Sequence, residues 1–242
     1  MKILRLCLSG LVFLAFTGCF AALGQSPSPT PSPEDARAKQ LLEQGTQLLQ
    51  ARKPAEALPY FDQVVALYQS RFKDPNVRYY SARTPAEALF YMTNAAVSDG
   101  KHGAVAASGN WGYAYYLRGY GLLDLGRAAD AKAELLRATA LSPQNAQFLA
   151  ELGHLYEVEK NWPLAMQTFQ RAEKAAKEFS PDDVRNVELA RAWRGEGYAL
   201  VELGRLDEAE SLYRKCLDLD PQDAKAKQEL AYVLSQKAKA AK

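Results

Sequence analysis

His102 and His154 are the two histidines of this 242-residue chain, and they are the residues from which acid–base or metal chemistry would have to be built. Neither stands in a Cys/His ligand spacing or a nucleophile motif. The adjacent acids Asp182 and Asp183 fit the first turn of a helix, where carboxylates meet the positive end of the dipole, better than general acid–base work. A Gly-rich phosphate loop is absent, as is any metal motif. The chain therefore reads as non-enzymatic, with no catalytic residue, no metal site and no cofactor. Of three cysteines, Cys7 and Cys19 fall in an apolar leader, and Cys216 reads as a buried hydrophobe, so a disulfide framework is excluded. Lys and Arg number 30 against 28 Asp and Glu; without Lys2 and Arg5 there are 28 of each, which gives no basis for a nucleic-acid partner.

What recurs instead is a set of packing roles. With Gly45, Gly119, Gly153 and Gly197 on one register, the residue twelve places later is Ala57, Ala131, Ala165 and Ala209. Four places on come Phe61, Leu135, Phe169 and Tyr213, and three beyond those Val64, Ala138, Ala172 and Cys216. Gly in one helix and Ala in the next allow two antiparallel helices to approach, the large residue fills the groove between them, and the small one admits the following pair. Gly126 and Gly204 follow their register Gly by seven residues, where a positive φ suits the end of the first helix. Pro143 and Pro221 end the second helices.

These residues resemble the tetratricopeptide repeat, a unit of 34 residues in two helices. The resemblance implies an all-α superhelix of antiparallel helix pairs, with repeats at about 38–71, 112–145, 146–179 and 190–223 and a capping helix at 224–236 that packs through Leu230, Ala231 and Leu234. It is strongest in the second and fourth units and weaker in the first, where Gln44 and Arg52 replace Leu and Gly. In this family the first helices line a concave face. Carried onto this chain, that face takes Tyr113, Tyr116, Tyr120, Leu123 and Asp124 from the second unit; Gln147, Ala150, His154, Glu157 and Val158 from the third; and Arg191, Arg194, Tyr198, Val201 and Glu202 from the fourth. The implied partner-binding residues are Tyr113, Tyr116, Tyr120, His154, Arg191, Arg194 and Tyr198. The peptide-carboxylate clamp of the family, built on Lys and Asn, is missing, because Tyr116, Tyr120, Ala150 and His154 hold those places. Tyr and Arg dominate interface energies, and the reading is that Tyr116, Tyr120, Arg194 and Tyr198 hold an extended segment or a helix of a partner protein. The alternative is that the tyrosines pack helix on helix.

The register glycines stand 74, 34 and 44 residues apart, so additional segments interrupt the array. The smaller one is an early start of the fourth unit, with Ser180 as N-cap and Pro181 at N1. The larger, residues 72–111, offers a helix over 84–97 and then a Gly-rich loop from 99 to 110; it is either a decayed repeat or a flap over the ligand groove. The domain spans 36–242.

At the start of the chain, Lys2 and Arg5 precede the uncharged run 6–24, the layout of an export signal within residues 1–24. Phe16-Thr17-Gly18-Cys19 resembles a lipoprotein box with cleavage before Cys19 and its lipidation, which would attach the chain to a membrane, by resemblance the outer one. Cleavage before Gln25 and retention as a single anchor are the competing fates. A Ser/Pro-rich linker at 25–35 favours polyproline II and spans roughly 25 Å over its eight alternating residues. Together these features point to an exported scaffold or adaptor in the periplasm of a bacterial envelope, binding a protein or peptide partner. A glycan- or peptide-binding accessory protein of an envelope enzyme and a self-associating repeat domain are the other readings.

Overall fold

The computed structural model describes residues 32–98 and 103–240. The leader, Cys19, the linker as far as residue 31, and His102 lie outside the described residues. Four helix pairs and a closing helix make up the array: α1 (Pro33–Gln50) with α2 (Pro54–Arg71), α4 (Asn110–Asp124) with α5 (Ala128–Leu141), α6 (Ala146–Val158) with α7 (Trp162–Phe179), α8 (Asp182–Glu202) with α9 (Leu206–Leu219), and α10 (Ala224–Ala240). Between α2 and α4 the chain forms β1 (Val77–Ala82), α3 (Pro85–Ser98) and β2 (Gly103–Ser108).

The core repeats one interlock. Phe61, Phe169 and Tyr213 are fully buried and Leu135 is 1% exposed, while the four register alanines and the small residues Val64, Ala138, Ala172 and Cys216 show no exposure. A methyl group on Gly153 would stand 2.8 Å from the rim of the Phe169 ring, and Gly195 on α8 meets the same ring from the other side. One aromatic side chain thus holds three helices, α6, α7 and α8. Gly45 faces Phe61 and Gly197 faces Tyr213 in the same way, a Cβ at these positions falling 2.5 Å and 2.8 Å from the ring.

The turns repeat too. Seven residues after each register Gly the backbone enters the left-handed region: Arg52 at φ 60°, Gly126 at 74°, Lys160 at 57° and Gly204 at 74°. Each turn closes with the same pair of bonds, as where Lys160 N donates to Glu157 O at 2.8 Å and Asn161 N to Tyr156 O at 2.8 Å. The geometry therefore belongs to the repeat rather than to glycine, and the first and third units bear the cost of a side chain there.

Several boundaries and faces differ from the sequence reading. The array begins inside the Ser/Pro segment, because Ser32 Oγ accepts from Asp35 N at 3.1 Å and Pro33 opens α1; a proline in the first turn costs no helical hydrogen bond. Ser180 does not cap α8, which starts at Asp182 with Pro181 in the cap position and no side-chain cap bond. The Ser180 hydroxyl donates to Glu188 instead. On α10 the inward residues are Ala226 and Val233, both fully buried, with Leu230 partly so; Ala231 and Leu234 are exposed. The stripe packed toward α9 keeps Leu230 of the three residues read from the sequence and takes Ala226 and Val233 in place of Ala231 and Leu234.

The insert is neither a helix pair nor a loop-tipped flap. β1 and β2 pair in parallel, Val77 opposite Gly103 through Ala82 opposite Ser108, joined by α3 as crossover. Ser81 ties the unit to the array: its hydroxyl donates to Ser108 O at 2.7 Å and accepts from Gly112 N at 2.9 Å, and its carbonyl accepts from Ser142 Oγ at 2.6 Å. The first two helix pairs still stack directly, with Gln69 Nε2 donating to Tyr115 Oη at 2.9 Å and Asn110 Nδ2 to Asp35 O at 3.2 Å. The insert is thus an addition at the side of an unbroken stack.

Replacing Lys160 by Gly removes the Cβ penalty at a left-handed position, so Lys160→Gly is expected to raise unfolding stability by about 1 kcal/mol, read from the urea midpoint at unchanged m-value. An unchanged or lowered midpoint would show that the turn is not strained.

Candidate functional site

The first helices of the pairs carry the residues expected on the concave face, and the structure divides them into two groups. In the first group, Tyr113 and Tyr116 meet edge to face at 6.0 Å and both pack on Phe148, at 5.1 Å and 5.0 Å. Their hydroxyls share one amide: Tyr113 Oη donates to Gln147 Oε1 at 2.8 Å, and Gln147 Nε2 donates to Tyr116 Oη at 3.1 Å. Tyr116 is 4% exposed and Ala150 1%. These side chains fill the space between α4 and α6, so Tyr116 supports the stack and offers no surface to a partner. Tyr120 is half-buried against the core.

The insert seals this end. Arg83, between β1 and α3, reaches across the N-terminal ends of the helices: its Nη1 donates to Glu188 Oε1 on α8 at 2.7 Å and its Nε to Glu87 Oε1 at 3.1 Å, while its backbone N donates to Glu87 Oε2 at 2.6 Å. The Arg83 side chain is 9% exposed, Glu188 8% and Glu87 not at all. Burial pushes the Glu87 carboxyl up against the pull of Arg83. Nearby, Phe90 packs on Phe179 at 4.7 Å and Gln144 N donates to Tyr91 Oη at 3.0 Å. The βαβ unit therefore runs along the turns that join successive pairs, beside the concave face and not over it.

Both arginines expected to greet a ligand are engaged within the chain. Arg191 pairs with Glu151 on α6, and Arg194 pairs with Asp223. Asp223 also caps α10, its Oδ1 accepting from Ala226 N at 3.0 Å. These pairs brace neighbouring first helices to each other, a role that a periodicity argument cannot separate from ligand binding.

The second group stands open toward the C-terminal end. His154 Nδ1 lies 2.7 Å from Glu157 Oε2, and its ring meets Phe169 edge to face at 5.0 Å. Tyr198 meets Trp162 at 6.0 Å, edge to face. Glu202 is exposed, as is Val158 at 62%. Glu229 of α10 completes the group, a residue that the sequence reading left out because it assigned α10 only a capping role; continuing the repeat register into a fifth first helix would have found it. Burial pushes the Glu157 carboxyl up, with the His154 bond opposing and Glu202 adding to the shift. Burial and the charge of Glu157 push Glu229 up as well. Among the described residues no group of His, Cys, Asp and Glu has the arrangement to hold a metal ion.

A stack of helix pairs with one face lined by first helices defines a helical repeat protein. Two tetratricopeptide repeat models match the sequence, at residues 116–181 and 190–223, so the chain carries tetratricopeptide repeats and its fold is the all-α tetratricopeptide array, here with one βαβ unit inserted. Among solved structures it is similar to PilF of Pseudomonas aeruginosa, at 15% identity over 86% of this chain and 72% of that one with a TM-score of 0.60. It is similar to kinesin light chain TPR-like repeats of Podosopora anserina, at 13% identity over 87% and 90% with a TM-score of 0.57. MamA of Desulfovibrio magneticus RS-1, from residue 41 to its end, shares 19% identity over 84% and 86% with a TM-score of 0.54. At such identities the likeness is one of fold. No curated protein matches the chain.

Two measurements test this geometry. Arg83→Ala leaves Glu87 and Glu188 buried without their cation and is expected to cost about 3–5 kcal/mol of stability in denaturant unfolding, with much of it restored by adding Glu87→Gln and Glu188→Gln. The raised carboxyls of Glu157 and Glu229 bind protons more tightly folded than unfolded, so their ionisation lowers stability as pH rises through the folded values. Glu229→Gln, which removes a charge that opposes Glu157, should melt higher than wild type at about pH 7.5, with the difference shrinking as the pH falls into the ordinary carboxylate range. Equal melting temperatures at the higher pH would contradict the electrostatic strain.

Proposed function

We propose that the protein is an interaction scaffold of a bacterial cell envelope that holds a segment of a partner polypeptide on the C-terminal half of its concave face. The tetratricopeptide array itself supports a protein–protein interaction scaffold, because the fold offers an extended surface built from successive helix pairs. The observation that carries the choice of surface is the division of that face: its first half is filled by Tyr113, Tyr116 and Gln147, while on α8 Arg191 and Arg194 are engaged by Glu151 and Asp223. His154, Tyr198 and Glu202 remain accessible to a partner.

Export rests on the sequence: Lys2 and Arg5 ahead of an uncharged stretch, with the lipoprotein-like residues ending at Cys19. A lipidated Cys19 followed by the Ser/Pro linker would hold the array off the outer membrane on its periplasmic side. No helix of the described residues is long and apolar enough to cross a membrane.

Crosslinked capture from native bacterial envelopes, comparing wild type with Tyr198→Ala, tests the reading. Tyr198 is partly exposed at a helix surface, so the variant folds; a protein recovered with wild type and reduced about tenfold or more with Tyr198→Ala is the expected result. Equal recovery removes the concave face as the site. The intact mass of the same bait reports its N-terminus: a diacylglyceryl-bearing Cys19 supports anchoring, whereas a chain starting at Gln25 replaces it with a free periplasmic protein.

A further inference from the structure

The α3 helix of the insert shows solvent a face without charge. Its single charged side chain is Glu87, which is fully buried and held by Arg83. The inward residues are Glu87, Tyr91 and Ala95, with the Tyr91 ring stacked on Tyr80 of β1 at 5.2 Å. On the opposite side Leu89 is 69% exposed, Met92 45% and Val97 82%, and Ala86, Thr93 and Ala96 are exposed with them. By contrast α9, a helix of the same length, turns Asp207, Arg214, Lys215 and Asp218 outward. An apolar strip of this kind on an otherwise charged surface marks a contact face.

The order of residues along the strip selects what covers it. Ala86, Leu89, Thr93 and Ala96 follow one another at intervals of three, four and three, the seam of two helices packed along their length. Those intervals read the same from either end, centred on the level of Tyr91. A second α3 laid antiparallel therefore sets Leu89 of each copy against Thr93 of the other, a large residue facing a smaller one, and sets Ala86 against Ala96 of the second copy, where the backbones can approach closely. Charge points the same way. A two-fold contact brings groups near its axis close to their own copies, so a charge there would meet its like, and the strip has none. A lipid surface is a poorer match, since α3 has no Lys or Arg to meet anionic headgroups. The outward half of a helix about 21 Å long and about 10–12 Å across offers on the order of 400 Å². Two copies thus remove about 800 Å² from water, below the size of stable complexes and in the range of weak, reversible ones.

We infer that α3 is a self-association surface: two copies of the chain pair weakly through antiparallel α3 helices, with Leu89 of each seated against Thr93 of the other. The contact uses the insert alone and is independent of the concave-face reading.

The test uses the full-length chain in two tagged forms produced together, one carrying Ala86→Cys and the other Ala96→Cys, oxidised gently and read by mass spectrometry as the peptide linked through the two new thiols. These positions face each other in the antiparallel pair, whereas Ala86 of one copy lies about 15 Å along the axis from Ala86 of the other. That separation exceeds the roughly 7 Å between Cα atoms that a disulfide can bridge. The mixed pair should cross-link about tenfold or more better than Ala86→Cys in both forms, and Leu89→Asp added to both chains should lower the yield about tenfold or more by placing a carboxylate in the apolar seam. Because Leu89 is mostly exposed in the single chain, Leu89→Asp should keep its far-UV spectrum and melting temperature, which separates loss of contact from loss of fold. No product from the mixed pair, equal yields from mixed and matched pairs, or a yield indifferent to a folded Leu89→Asp would each overturn the pairing. So would a benzophenone side chain in place of Leu89 that, irradiated in the producing cells, links to another polypeptide or to lipid and not to a second copy.

Discussion

Each large side chain at the register of Phe169 packs where the facing first helix lacks a Cβ, and the rest of the molecule depends on that contact. Gly153 and Gly195 meet the Phe169 ring from α6 and α8, so one aromatic residue fixes the spacing within its own pair and to the next. A ring against a register glycine recurs at Phe61 on Gly45 and at Tyr213 on Gly197, so the pairs pack alike and side chains one position after the register Gly fall on a common face. The dispersion contacts of a ring held on both sides are lost together if either helix moves, which makes the step stiff. Surface residues such as His154 and Tyr198 can then be placed to within the tolerance that a binding site needs.

The βαβ unit changes what that face can do. Parallel strands require a helical crossover, and this one is laid against the turns between pairs, where Arg83 joins Glu87 of α3 to Glu188 of α8. An ion pair this buried returns little net stability relative to an apolar contact, but it is intolerant of losing a member, so it holds the insert in one position. With Tyr113 and Tyr116 sharing Gln147 just inside, the first half of the concave face is a packed wall. The asymmetry between a filled half and an open half is the main difference between this chain and an array of equal repeats.

The open half is where the protein tolerates unfavourable electrostatics. Burial pushes the Glu157 and Glu229 carboxyls up, with Glu202 adding to the first and Glu157 to the second, and the Tyr213 hydroxyl is buried without a partner where its counterpart is Phe169.

The sequence by itself determined the repeat: the Gly, Ala, large and small residues recur at fixed spacing because each helix pair faces the same packing problem, and local periodicity records the solution. It also determined the turn positions, since Arg52 and Lys160 fall at the same offset as Gly126 and Gly204, and the helix α3 within the insert. The β2 strand was invisible to it, because Gly103-Ala-Val-Ala-Ala-Ser carries weak strand preference and its pairing partner lies 26 residues back. The concave residues were legible as a row but not by role. Tyr116 stands three residues before its register Gly and Tyr198 one after, one turn apart on the same row, yet one is sealed by Phe148 and Gln147 and the other lies at the surface. Arg191 and Arg194 looked like ligand contacts until Glu151 and Asp223, distant in sequence, were brought to them. Which member of a repeated face is free is settled by long-range neighbours, and only the tertiary structure, by stacking α6, α8 and α10 at one end and the βαβ unit at the other, decided it.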